Sequence, residues 1–145
     1  MLKKLLLISS MGMLANYALA ASFTPGTYTG TFTQTVLGTN WVDSNFSAQV
    51  NADGSLTATI PVHGIIPEAN LTVGQVSYVP GGGCTLSNPT ITGKLTVSDV
   101  TFDSCTVQYN AQGQPIQVSS SYSAKVSIIT AVPVTGTVTL NAPTN

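Results

Sequence analysis

In this chain of 145 residues, charged side chains make up 6% of the sequence and arginine is absent, against about a quarter charged in an ordinary soluble protein. So little positive charge leaves no electrostatic footprint for DNA, RNA or an anionic membrane surface. It also leaves few of the positioned charged groups on which most enzymes run.

The chain opens MLKKLLLISSMGMLANYALA. Lys3 and Lys4 form a charged start, Leu5 to Leu14 a short apolar run, and Ala18-Leu19-Ala20 a small-x-small ending. This pattern predicts a secretory signal peptide over 1–20, cut between Ala20 and Ala21, in a bacterial style. The apolar run falls short of the ~20 residues that span a bilayer, so no transmembrane anchor is expected. The remaining 21–145 has the size of one domain. It keeps two lysines, Lys94 and Lys125, against five carboxylates, for a formal charge of −3.

Two-residue alternation then predicts strands almost throughout. In GTYTGTFTQTV, Tyr28, Gly30, Phe32 and Val36 share one face and threonines the other. From Val42 the alternation continues through Ser44, Phe46, Ala48 and Val50. Asn51-Ala52-Asp53-Gly54 is a tight turn, and Leu56, Ala58, Ile60 and Val62 form the returning face of a hairpin. His63 to Glu68 is a connection. Leu71, Val73, Val76 and Tyr78 follow, with a phase slip at Gly74-Gln75 that predicts a bulge. Pro80-Gly81-Gly82-Gly83 breaks the chain before Cys84.

Beyond it, Ile91, Leu95 and Val97 alternate, Val100 and Phe102 take the other phase, and Cys105, Val107 and Tyr109 return to the first. After a turn over Asn110–Pro115, Ile116, Val118, Tyr122, Ala124, Val126 and Ile128 line one face of the longest strand, and Val134, Gly136, Val138 and Leu140 form the last. Eight or nine short strands without helical periodicity predict an all-β, antiparallel β-sandwich, Ig-like or jelly-roll. A β-solenoid is the alternative, but no fixed repeat recurs along the chain.

Cys84 and Cys105 are the only cysteines. In an exported chain they predict one structural disulfide, worth roughly 3 kcal/mol in the chain-entropy view. A redox pair would be spaced C-x-x-C, and a structural zinc would want four Cys or His ligands. His63 is the only histidine, so neither pattern is available and no metal or cofactor is expected. Asn51 and Asp53 are explained by their turn without calcium. His63, the sole candidate catalytic base, reads as a bystander in a loop, and no G-x-S-x-G surrounds any serine. Asp99 and Asp103 read as solvated strand residues. No catalytic residue is expected. Trp41 reads as a core cap, with a sugar-stacking platform as its functional alternative.

In size, signal peptide, strand-rich pattern and single disulfide the chain resembles chaperone-assembled pilins. It departs from them in its late first cysteine, Cys84, and in an ending, Leu140 to Asn145, that lacks their tyrosine. Few lysines are available to guard strand edges, and low net charge gives little repulsion between copies. The expected function is therefore a non-enzymatic, exported structural or adhesive β-protein of the bacterial envelope or surface. Its expected partners are copies of itself or other surface proteins, as in a filament or biofilm matrix. The alternative is a periplasmic or secreted binding module for a carbohydrate or a small apolar ligand.

Overall fold

The computed structural model describes residues 19–143, so the signal-peptide expectation lies outside the described residues except at its cleavage end. There Ala20 is exposed and Ala21 opens the first strand. Nine strands follow in chain order: β1 (Ala21–Ser22), β2 (Gly26–Val36), β3 (Thr39–Val50), β4 (Leu56–Ile60), β5 (Ala69–Tyr78), β6 (Cys84–Gly93), β7 (Thr96–Tyr109), β8 (Pro115–Ser127) and β9 (Ala131–Asn141). Every pairing among them is antiparallel. Hydrogen-bonded neighbours run β6-β5-β4-β3-β2-β9-β8-β7, and β1 lies beside the end of β5 at Ser77–Tyr78. The all-β antiparallel expectation holds, as one curled sheet braced by a Cys84–Cys105 disulfide.

Curling brings the two halves of the sheet face to face. Val76 and Leu86 of β5 and β6 look across at Val118 and Leu140 of β8 and β9 around a void of ≈ 20 Å³, the room of about one water. An aromatic row crosses the interior, with centroid spacings of 4.8 Å from Phe46 to Phe32, 5.3 Å from Phe32 to Tyr122 and 5.7 Å from Tyr122 to Phe102. Tyr122 reaches Phe32 over Gly136, which pairs with Tyr122 on one side and Gln34 on the other. A Cβ at Gly136 would run into the Thr33 carbonyl and the Tyr122 ring, and one at Gly30 into the Thr139 carbonyl. Glycine at these two positions lets the strands coil tightly enough to enclose the row.

Outside, the threonines of β2 and β9 and the serines of β8 form cross-strand hydroxyl pairs, including Thr33–Thr137 at 2.8 Å and Ser119–Thr139 at 3.1 Å. That wall is polar, whereas the outer wall of a membrane barrel is apolar. No helix among the described residues is long and apolar enough to cross a membrane.

The phase slips read from the sequence in β7 are bulges. In β7 the pairing with β8 shifts between Ser98 and Thr101 and between Asp103 and Thr106, and Asp99 and Ser104 take positive φ of 54° and 53°. At Gly74-Gln75 the expected bulge is absent: the β5–β6 register runs unbroken from Val73↔Pro89 to Gln75↔Ser87, and the change of buried face between Val73 and Val76 falls opposite Asn88, itself at φ 54°. One bulge escapes the alternation. Gly30 pairs with Phe46 but Phe32 with Asp43, so β3 carries an extra residue at Ser44-Asn45. Below it Phe46, Ala48 and Val50 point inward as expected. Above it the phase reverses, turning Trp41 and Asp43 inward and leaving Val42 56% exposed. Val62 and Ile116 also differ from expectation, at 59% and 44% exposed, because β4 ends at Ile60 and Ile116 lies at the rim of β8.

Candidate functional site

The hairpin of β3 and β4 is paired for only part of its length. Three pairs join them, Val50–Leu56, Gln49–Thr57 and Ala48–Ala58. Above Ala48, β3 continues to Thr39 bonded only to β2, while Thr59 and Ile60 of β4 bond only to β5. The sheet is therefore split, and a groove of ≈ 1050 Å³ lies along the split. Its walls are mostly hydroxyls and amides, among them Ser44, Asn45, Ser47, Thr57, Thr59 and Asn70, with Asp43 and Glu68 as its carboxylates. The closed end is a tight turn: Asp53 accepts from the Ser55 hydroxyl at 2.6 Å and from its backbone N–H at 2.9 Å. The hydroxyl, then the N–H, holds this carboxyl below its ordinary range.

His63 bolts the open end. The β4–β5 connection folds back on itself through paired backbone bonds between His63 and Ile66, at 2.9 and 3.0 Å. This drives the imidazole into the barrel, where it is 2% exposed. Its Nε2–H donates to Asp43 Oδ2 at 2.6 Å on β3, and its Nδ1 meets the Gln34 Oε1 of β2. Oxygen atoms thus face both ring nitrogens, and the imidazole ties β2 to β3 through its two sides. Trp41 stacks on the ring at 5.7 Å and Phe32 at 6.2 Å. Gly64 makes room for the indole, since a Cβ there would lie 3.1 Å from Trp41.

Tyr122 completes the cluster by donating to the Thr33 carbonyl at 3.2 Å. Burial pushes its phenol well above the ordinary tyrosine value, a push that the Gln34 side chain partly offsets. A second interior void beside Gln34 and Tyr122 is also ≈ 20 Å³. Side chains, not a ligand-sized cavity, fill the barrel there.

The expected bystander His63 is thus a buried tie between β2, β3 and the β4–β5 connection. Trp41 is the cap the sequence suggested, half-buried on that ring. Asp99 and Asp103 sit in the bulged part of β7, where Asp99 meets Lys125 at 3.5 Å on the exposed surface, a contact worth little. Among the described residues no group of three or more His, Cys, Asp or Glu could hold a metal.

Two members of the cluster were missed in the sequence. Gln34 has the parity of Phe32 and Val36, and a polar residue on the apolar face of a strand calls for a buried partner. That signal was available. Asp43 gave none, because only the bulge turns it inward.

Cys84 and Cys105, 5.0 Å apart at Cα, join β6 to β7 on the opposite side of the barrel. These strands are consecutive and antiparallel, yet no ladder pairs them. Beside the bond, the Tyr109 hydroxyl lies 2.9 Å from the Val79 carbonyl and 2.7 Å from that of Gly82. No known family model, no curated protein and no solved structure matches this chain, so its function is argued from these sites alone.

Proposed function

We propose that this chain is an exported, non-enzymatic β-protein that works by associating with copies of itself or with other surface proteins outside the cytosol. One observation carries the reading: large aliphatic side chains stand exposed on the loops at one pole of an almost uncharged barrel. Leu37 in the β2–β3 turn, Val62 and Ile65 in the β4–β5 connection and Ile129 in the β8–β9 turn are 65%, 59%, 66% and 97% exposed. Those connections emerge at the same end of the sheet. Apolar groups gathered this way mark contact surfaces, and a chain with 6% charged residues has little to keep copies apart. The disulfide fits an oxidising compartment. The engagement of both His63 nitrogens supports a structural rather than a proton-transferring role for that residue.

Sedimentation of the oxidised protein over a hundredfold concentration range tests the reading. Mass that rises with concentration, with fibres or layers in electron micrographs, is expected. A strictly monomeric protein at the highest concentration overturns it.

The groove along the split favours a second reading, a carbohydrate-binding module, because its walls are mostly neutral hydroxyls and amides with two carboxylates among them. Trp41, the single tryptophan, stands beside Val42 and Asp43 of that groove. Its fluorescence would shift on titration with neutral oligosaccharides under this reading and stay constant otherwise.

A further inference from the structure

We propose that the free edge of β3 above Ala48 pairs, antiparallel and about a twofold axis, with the same edge of a second copy. The inference rests on the association reading and names its surface. From Thr39 to Ser47, β3 is laddered to β2 alone, so alternate residues on its other side present N–H and C=O groups to the groove. An antiparallel edge is self-complementary: each residue offers one donor and one acceptor, and a twofold axis returns the same pattern.

Apart from the two-residue edge of β4 at Thr59-Ile60 across the split, the other edges of the sheet are occupied or blunted. β6 and β7 are tied to each other by the disulfide. Along them Pro89 lacks an N–H, and Asn88, Asp99 and Ser104 turn the backbone through positive φ. The β3 edge carries no such guard except its one bulge.

Its chemistry admits a second copy. Ser44, Asn45 and Ser47 are exposed and uncharged, and the nearest carboxylate, Asp43, is turned inward onto His63. Two copies therefore bring no like charges together along the strand itself, and Glu68, the other carboxylate of the groove, stands across the split at the end of the β4–β5 connection. Val42 lines the groove and is exposed, and Val62 and Ile65 are exposed on the connection that follows β4. His63 ties that loop to Asp43, the chain neighbour of Val42. Pairing of two β3 edges covers these residues in both copies.

The test is sedimentation of the oxidised protein with three exposed lysine substitutions. Asn45→Lys puts two like charges at the proposed axis, and Val62→Lys puts one on the connection that His63 ties to β3. Each is expected to weaken dimerisation by about tenfold or more in Kd. Gln112→Lys, on the exposed β7–β8 turn at the other end of the sheet, is expected to leave it unchanged. Amides of 44–47 should exchange more slowly in the concentrated wild type than in the dilute one. Self-association that survives both Asn45→Lys and Val62→Lys overturns β3 pairing and leaves the association reading standing. A wild type monomeric throughout overturns both. A monomeric wild type whose Trp41 fluorescence responds to cellohexaose or maltohexaose assigns the groove to sugar instead.

Discussion

The barrel is incompletely laddered in two places, and it closes them by different means. At the seam, β6 and β7 face each other without a ladder and are joined by a covalent bond. At the split, β3 and β4 part above Ala48 and are bridged by one buried imidazole. Burial explains the difference. No residue of β6 or β7 is fully buried, so a polar tie there would sit near water and contribute little. The disulfide acts instead on the unfolded chain, whose freedom it removes whatever the local dielectric. Around the split, Phe32, Phe46 and Trp41 exclude water from the ring, and hydrogen bonds in such surroundings gain strength. A thinly packed wall is stapled, and a thickly packed one is bolted.

This contrast can be broken from either side. Cys105→Ser should have the largest effect, about 2–5 kcal/mol of stability as expected for a native disulfide. Denaturant unfolding of mutant and wild type under oxidising conditions measures it, and an unchanged midpoint would mean that the bond is idle. His63→Ala should follow at about 2–3 kcal/mol, since it strands the Gln34 amide and unties Asp43. Amide exchange then distinguishes the two variants. Loss of the disulfide should speed exchange in β6 and β7, and loss of the imidazole in β3 and the β4–β5 connection. The reverse pattern would refute the division of labour.

An alkaline challenge probes the bolted side further. The Tyr122 phenol is held above its ordinary value, so its contribution is fully present below pH ~10. Above that the unfolded chain ionises first, and stability should fall by about 1.4 kcal/mol per pH unit until the folded phenol ionises too. Tyr122→Phe should flatten that fall in a urea series at pH 9 to 11. The smallest effect belongs to the turn that closes the split. Asp53 has a depressed carboxyl, so whatever it contributes is present above the ordinary aspartate range and lost as pH falls through its folded value. Ser55→Ala should raise the Asp53 titration midpoint seen by NMR. An unmoved midpoint would remove the hydroxyl as its cause.

Much of the architecture was readable because half-buried strands write themselves as alternation. The slips on either side of Val100-Phe102 appeared in the sequence as breaks in phase and in the fold as bulges, whereas the one at Gly74-Gln75 is a change of buried face without a shift of register. The slip at Ser44-Asn45 was silent, because Val42-Ser44-Phe46 keeps a plausible parity across the extra residue. Everything positioned by that bulge was therefore hidden, above all the inward turn of Asp43 and its meeting with His63. The parting of β3 from β4 was equally unreadable. Alternation tells which face a residue takes but not how far two strands stay in register. Only Gln34, polar at an apolar parity, announced that the interior held something to bind.

One small feature near the seam bears on how the protein matures. The Tyr109 phenol meets two carbonyls of the turn that ends in Gly83, and Cys84 follows at once. Tyr109 lies four residues beyond Cys105 on the same strand. Before oxidation these contacts would hold the two thiols as near neighbours, raising their effective concentration well above that across a free glycine-rich loop. The phenol then serves as a template for the cross-link, and Tyr109→Phe should slow oxidation of the reduced chain more than it weakens the finished one.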